Sequence, residues 1–340
     1  MTQVKTVILT NVGTPQSPEP KEVGVYLSEF LMDENILPLS RPWRDLLVKC
    51  LIVPRRKFTS SEKYKAIWSQ EGSPLMVESQ YLQKRLQEIL GSGWRVVLGM
   101  QVGEPSLSQA FKEASQNSSE IHFLPLYPQF AGATTGGALK LSSRMISSQK
   151  NLKTLKPFYA ETWFIKAQAD QIRSRLKPLD HLLLSYHGLP ISQLKEKNST
   201  CEQSSGCCLS NQSCELNCYK AQCLRTSELL QQELKIDRLS IGFQSRLGRS
   251  RWIGPSTTDV AQKLASQGIR DLKVACPSFV ADCLETLHEI GEELRHDFRK
   301  AGGQTLELIP AVSRHETFIQ GLARQVTSAA EHPGRREINS

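Results

Sequence analysis

The amino-acid sequence predicts an α/β protein of two similar halves, each a parallel sheet with helices on both faces, and three observations carry that expectation. Short apolar runs that read as buried strands alternate with helical stretches along most of the chain, the order that builds parallel sheets. The strand, turn and helix order occurs twice, with a join near residue 160 and no residue-level repeat. A length of 340 residues also exceeds what one core usually holds, so two domains are expected.

Taken in order, residues 6–10 form the first strand, ended by Asn11-Val12-Gly13-Thr14-Pro15, a turn whose glycine lets backbone approach a ligand closely. It is not the G-x-G-x-x-G dinucleotide fingerprint. Helical patterns over 19–32, 43–51 and 60–70 follow with no strand between them, a long excursion placed above the sheet as a lid. Gly72-Ser73-Pro74 breaks the chain before an amphipathic helix at 75–90 and a strand at 94–100. A strand at 121–125 leads into Leu126-Tyr127-Pro128-Gln129-Phe130, and Thr134-Thr135-Gly136-Gly137 opens another helix. Strand and helix then alternate through 155–159, 163–176, 181–185, 239–243, 256–267, 272–276, 282–299, 305–309 and 315–329. The polar tail 331–340 is expected to fray.

Composition narrows the function classes. An apolar content of 39%, with 17 prolines and 21 glycines spread as punctuation, is that of a soluble globular enzyme and not of a fibrous or disordered chain. The longest apolar runs fall short of a bilayer span and the first residues lack a signal-peptide core, so a cytoplasmic location is expected. The net charge of +8 points to an anionic partner. Arg41, Arg44, Lys49, Arg55, Arg56 and Lys57 lie within seventeen residues, interleaved with Trp43, Leu46, Leu47 and Leu51. That mixture suits an amphiphilic ligand or a membrane surface; no recognition element for nucleic acid is present.

The chemistry centres on Ser185-Tyr186-His187-Gly188-Leu189-Pro190, directly after the apolar run Leu182-Leu183-Leu184. An apolar run that stops at a histidine and breaks at glycine and proline reads as a buried parallel strand delivering one imidazole to its carboxyl end, where open α/β sheets build their sites. A second strand-like run, 272–277, leads through Ser278-Phe279-Val280-Ala281 into an acidic helix. Its carboxylates at Asp282, Glu285, Glu289 and then Glu292 or Glu293 keep a three-to-four spacing, which lines one helix face. Histidine plus carboxylate with open positions suits a borderline divalent ion such as Fe2+, held weakly enough to be passed on.

These residues resemble the ferrochelatase family. The resemblance rests on Ser185 to Pro190, on Cys276 to Leu287, and on Gly242-Phe243-Gln244-Ser245-Arg246-Leu247-Gly248 with Trp252 and Pro255. It extends to Asn11 to Pro15, to Tyr64-Lys65-Ala66-Ile67-Trp68 with Gly72 to Leu75, and to Pro125 to Phe130 with Thr134-Thr135-Gly136, covering about residues 7 to 325. It implies two Rossmann-like, doubly wound domains of the chelatase type enclosing a cleft, at 1–160 with a helical lip near 20–70 and at 161–312. A helix at 313–330 would pack back on the body. The implied reaction is insertion of Fe2+, as substrate, into protoporphyrin IX, with release of two protons. His187 matches the family histidine proposed as metal ligand or base, and Glu285 the essential carboxylate opposite it. Both jobs of the imidazole need its neutral form near pH 7. Asp282 and Glu289 match acids thought to pass metal or protons. Arg55 and Arg56 match arginines near the lip, and Val12, Trp68 and Tyr127 match positions lining the porphyrin pocket.

Cys201, Cys207, Cys208, Cys214 and Cys218 fall within eighteen residues of a cysteine-rich insert near 199–223, followed by Cys223. Without a secretory signal a metal or cluster site is the main reading, a zinc ribbon would want paired C-x-x-C steps, and a thiol sensor is the third alternative. Some ferrochelatases are similar in carrying a [2Fe-2S] cluster. The family usually has Asp-Pro-Tyr where this chain reads Asn217-Cys218-Tyr219, which supports a ligand role for Cys218, with Cys207 and Cys208 competing for one place. Cys50, Cys276 and Cys283 read as buried small apolar residues. A coproporphyrin III ferrochelatase, a cobalt or nickel chelatase and a non-enzymatic haem or metal carrier are the alternatives. The Trp68 and Trp252 motifs look more like the protoporphyrin-using branch.

Overall fold

A computed structural model describes residues 4–34, 36, 37, 39–145, 152–195, 218–245 and 251–331. Cys201, Cys207, Cys208 and Cys214 of the cysteine-rich insert lie outside these residues, as does the Arg246-Leu247-Gly248 part of the glycine motif. The chain divides into two compact units, one formed by the described parts of Met1–Leu126, Gly132–Lys156 and Phe318–Ser340, the other by Tyr127–Ala131 and Pro157–Thr317.

The first unit holds strands β1 (Lys5–Asn11), β2 (Trp94–Met100), β3 (Glu120–Pro125) and β4 (Leu152–Thr154) in the order β2-β1-β3-β4, all pairs parallel. The second holds β5 (His181–His187), β6 (Leu239–Gln244), β7 (Asp271–Ala275) and β8 (Thr305–Leu308) in the order β6-β5-β7-β8, again parallel. The two orders are the same topology, so the expected α/β class with two similar parallel sheets is borne out. In each sheet the first strand sits between the second and third, so the chain reverses its winding direction beside β1 and beside β5. Ligands of open α/β sheets bind at the carboxyl ends of strands at such a switch point.

The strands are buried because their runs are apolar on both faces. Val7, Ile8 and Leu9 of β1 and Leu182, Leu183 and Leu184 of β5 have no exposed surface. Helices cover them, and α1 (Pro20–Leu31) and α4 (Pro74–Leu90) follow the expected bounds closely. Ser73 caps α4 by accepting the Met76 N–H.

Four local expectations are corrected. The second and third lip helices form one continuous rod, α2 (Arg41–Leu46), a π-helical stretch Leu47–Ile52 and α3 (Val53–Ile67). Pro54 has no N–H to give, and the turn before it widens so that the Val53 N–H reaches the Val48 carbonyl. A helix not anticipated, α5 (Leu107–Asn117), connects β2 to β3; Ser106 caps it, and Leu107, Ala110, Phe111 and Ala114 recur at helical spacing on its buried side. The strand expected at 155–159 lies at Leu152–Thr154 instead, because Pro157 cannot donate to a ladder. The acidic helix expected from Asp282 is π-helical over Glu285–Leu294 and α-helical only in α11 (Arg295–Lys300). The remaining helices are α6 (Gly137–Met145), α7 (Thr162–Arg173), α8 (Ile191–Lys195), α9 (Tyr219–Leu234), α10 (Thr257–Ser266) and α12 (Glu316–Glu331).

Candidate active site at the carboxyl edge of the second sheet

His187 is the last residue of β5, at the switch point between β6 and β7. Its backbone is held from two sides: its N–H donates to Ser278 Oγ at 3.0 Å, and its carbonyl accepts the Tyr219 hydroxyl at 2.9 Å. The ring Nδ1 lies 2.6 Å from the Gly188 carbonyl oxygen. A carbonyl only accepts, so Nδ1 carries the hydrogen of the neutral ring and Nε2 presents its lone pair. The residue keeps some exposed surface, yet the ring lies deep enough that burial is the largest influence on it and lowers its pKa. The Glu285 charge and the Gly188 carbonyl oppose that shift. A neutral imidazole whose Nε2 has no hydrogen-bond partner among the described residues, within the field of a carboxylate, is equipped to accept a proton or bind a metal.

Gly188 permits this geometry. A Cβ there would lie 2.5 Å from the Gln244 carbonyl oxygen, which accepts the Gly188 N–H at 2.8 Å. Gln244, the last residue of β6, also ties β5 to the start of the acidic segment. Its Nε2 donates to the Glu285 carbonyl at 3.0 Å and its Oε1 accepts from Ser185 Oγ at 2.6 Å.

Glu285 opens the π-helical segment that follows β7, and Glu289 is four residues on. Wider i→i+5 hydrogen bonding sets residues four apart more nearly above one another than an α-helix does, and such segments gather at functional sites. Ser245, held at φ 64, donates its hydroxyl to Glu289 Oε2 at 2.6 Å. Asp282 differs from these two acids. Its Oδ1 accepts from Thr286 Oγ1 at 2.9 Å and its Oδ2 from the Ala311 N–H at 3.2 Å, which ties it to the helix start and to the chain after β8. The acids surround two buried thiols. Burial, then the Asp282 and Glu289 charges, push the Cys276 thiol up, and burial, then the Glu285 charge and hydrogen bond, do the same for Cys283. Both stay protonated, in keeping with their reading as small core residues, whereas Cys50, expected to be buried like them, is exposed. Among the described residues, no group of three or more His, Cys, Asp or Glu is assembled to hold a metal ion.

The other anticipated residues are placed as follows. Tyr127 is buried in the segment Tyr127–Ala131, which belongs to the second unit; there Gln129 donates to Thr226 Oγ1 at 3.1 Å and the Phe130 N–H to Gln222 Oε1 at 2.6 Å. In the first unit, Val12 follows the carboxyl end of β1 beside Gly13. The φ of 105 at Gly13, and the 1.9 Å that a Cβ there would keep from the Val102 carbonyl oxygen, exclude any side chain. Trp68 ends α3 and packs edge-on against Tyr64 at 6.2 Å, and Tyr64 packs on Tyr26, whose hydroxyl donates to the Gly13 carbonyl. Arg55 and Arg56 are exposed on α3. Cys218 is buried immediately before α9. Tyr219, Ser245, Gln244 and Ser278 are the site residues to which sequence reasoning gave no role. The signal available for Gln244 and Ser245 was the same as for His187: a strand run ending in polar residues.

Superposition on solved structures defines the class of protein. SirB from Bacillus subtilis with Fe3+ aligns with a TM-score of 0.57 at 13% identity, covering 97% of this chain and 97% of that one. The sirohydrochlorin chelatase SirB from Bacillus subtilis subspecies spizizenii, in complex with cobalt, aligns at 0.54 and 10%, with 97% of each chain covered. At such identities the likeness is one of fold, the chelatase fold. Sequence comparison is narrower: a family model described as ferrochelatase matches residues 4–330. The ferrochelatase of Bdellovibrio bacteriovorus is 39% identical over 95% of this chain and 99% of its own, and that of Stutzerimonas stutzeri 40% identical over 96% and 98%. This chain belongs to the ferrochelatase family, whose members insert ferrous iron into porphyrin.

Proposed function

We propose that this chain inserts Fe2+ into protoporphyrin IX at the edge where β5 delivers His187. The observation that carries the reading is the free Nε2 of His187, with Nδ1 committed to the Gly188 carbonyl and the Glu285 charge acting on the ring. The porphyrin must lose two N–H protons as its four nitrogen lone pairs replace water on the metal, so charge balances as one dication enters and two protons leave. His187 Nε2 accepts a pyrrole proton, and the Glu285 carboxylate stabilises the imidazolium so formed. Glu289, oriented by Ser245, continues the path for protons or metal away from Glu285. Asp282 shares that acidic line, and its bonds to Thr286 and Ala311 suit it to fixing the start of the π-helical segment. Used as a ligand in place of a base, the same Nε2 lone pair together with Glu285 would offer Fe2+ two donors, leaving its other positions for water and then for the porphyrin nitrogens.

Val12, Trp68 and Tyr127 supply apolar and aromatic wall for the macrocycle, and Arg55 and Arg56 cations for its propionates. Protoporphyrin is preferred to coproporphyrin III on the Trp68 and Trp252 motifs; Trp252 packs on Gly188, with Cε3 3.3 Å from the position of a Cβ there. The rod α2 to α3 exposes Trp43, Leu46, Leu51 and Phe58 among its cations, which supports a peripheral contact with the inner face of a membrane by a cytoplasmic protein. No described helix is long and apolar enough to cross one. Cys218, together with Cys201, Cys214 and one of Cys207 and Cys208, would hold a [2Fe-2S] cluster. Cys218 stands immediately before α9, and its sulfur there fits that donor set. When bound, the cluster supplies a cross-link within the insert that responds to oxidation.

The test is an anaerobic Fe2+ insertion assay with protoporphyrin IX and coproporphyrin III side by side, with an absorption spectrum of the purified protein. Haem formed faster from protoporphyrin by a red-brown protein is the expected result. No insertion into either porphyrin by folded protein would overturn the enzyme reading in favour of a carrier.

A further inference from the structure

Arg44 breaks the polarity of the helix that carries it. On the rod beginning with α2, its neighbours Trp43 and Leu46 are 68% and 55% exposed, while Arg44 retains 8% of its surface and faces inward with Val48. Neither Nε nor Nη1 of its guanidinium, both buried, has a hydrogen-bond partner among the described residues. Arginine stays charged at all relevant pH, so the group cannot neutralise itself. A buried cation with two donor nitrogens unsatisfied is costly, and interior charges are normally paired and hydrogen-bonded.

Asp45, next in sequence, acts on Arg44 as a charge but gives its Nε and Nη1 no hydrogen bond. Its carboxylate accepts from Lys49 at 2.7 Å and lies 3.9 Å from Arg41, and the Lys49 hydrogen bond is the largest influence holding its pKa down. On the preceding helix Glu29 accepts the Gly103 N–H at 3.1 Å, and Glu34 pairs with Lys140 at 3.7 Å. Between residues 41 and 57 Asp45 is the only acid against Arg41, Arg44, Lys49, Arg55, Arg56 and Lys57. Acceptors for Nε and Nη1 of Arg44 therefore have to come from outside this set.

We propose that Arg44 is the cation of an oxyanion site within the helical excursion, completed by a carboxylate or phosphate group of a bound molecule. Guanidinium donors match both groups geometrically. The inference rests on the burial and pairing of Arg44 alone and is independent of the insertion chemistry.

The experiment is thermal unfolding of the full chain in sodium phosphate, sodium propionate or phosphatidylglycerol vesicles, each against chloride or phosphatidylcholine at equal ionic strength. Wild type, Arg44→Gln and Arg41→Gln are compared. The expected result is a saturable rise in Tm of about 2–4 °C for wild type and Arg41→Gln, absent in Arg44→Gln, which unfolds no lower than wild type when oxyanions are lacking. A response to phosphate or propionate assigns a soluble oxyanion, and one confined to phosphatidylglycerol assigns a lipid headgroup; both support the site. No saturable response in wild type, or the same response in Arg44→Gln, overturns it. Should Arg44→Gln fail to fold, the wild-type and Arg41→Gln titrations decide: a response lost with Arg41 would place the anion on the exposed surface.

Discussion

Gly188→Ala adds one methyl group where β5 hands His187 to the site. The new Cβ would lie 2.5 Å from the Gln244 carbonyl oxygen and 3.3 Å from Trp252 Cε3. The first of these is backbone, and the same oxygen accepts the Gly188 N–H at 2.8 Å, so the methyl is seated only by parting the ends of β5 and β6. Overpacking of this kind costs about 1–3 kcal/mol and the lost hydrogen bond about 1 kcal/mol, together about 2–4 kcal/mol. The displacement reaches the chemistry, because Gln244 Nε2 holds the Glu285 carbonyl at 3.0 Å and the Gly188 carbonyl fixes Nδ1 of His187. Urea unfolding is expected to show that loss at unchanged slope, and the Fe2+ insertion rate to fall about 10- to 100-fold. Stability within about 0.5 kcal/mol of wild type together with a wild-type rate would refute the steric argument and the frame built on it.

Three further outcomes follow from the same geometry. Tyr219→Phe leaves the His187 carbonyl without its donor, so urea unfolding is expected to lose about 1–3 kcal/mol and kcat to fall more than KM changes; wild-type values of both would remove Tyr219 from the site. Glu285→Gln removes the charge that holds the His187 pKa up against burial, so the pKa falls and the acid limb of kcat/KM moves to lower pH, measured by insertion kinetics; an unmoved limb would mean another group titrates. His122 has no exposed surface, and burial lowers its pKa against the opposing Glu120 charge, with Lys153 and Lys5 adding to the lowering. Its stability contribution is therefore fully present above the ordinary value of 6.5 and is lost as pH falls from there through the folded value. Comparing urea midpoints at about pH 7.5 and 5.5, His122→Phe is expected to flatten this decline, and an identical decline would assign it elsewhere, first to His181, whose pKa burial also lowers.

The parallel sheets and the position of His187 were legible because they depend on local pattern: an apolar run ending at His187-Gly188-Leu189-Pro190 reads as a buried strand delivering a side chain to the sheet edge. The acid spacing from Asp282 was legible for the same reason, but its π-helical form was not, since no residue type in the run marks where hydrogen bonding passes from i+4 to i+5. Asp282 and Glu289 looked alike in sequence and part company only through tertiary partners, the Ala311 N–H for one and the Ser245 hydroxyl for the other. Helix α5 was overlooked although Ser106 and the spacing of Leu107, Ala110, Phe111 and Ala114 announced it. The support that Tyr219 gives to His187 spans 32 residues and leaves no mark in local pattern.

The most direct test of the account is the anaerobic rate of Fe2+ insertion into protoporphyrin IX by wild type, His187→Ala and Glu285→Gln, with porphyrin binding followed separately by fluorescence. The account predicts haem formation by wild type and a fall of about 10²- to 10⁴-fold in His187→Ala and in Glu285→Gln with porphyrin binding retained, as loss of a base or its carboxylate partner entails. Wild-type turnover in both variants would contradict it.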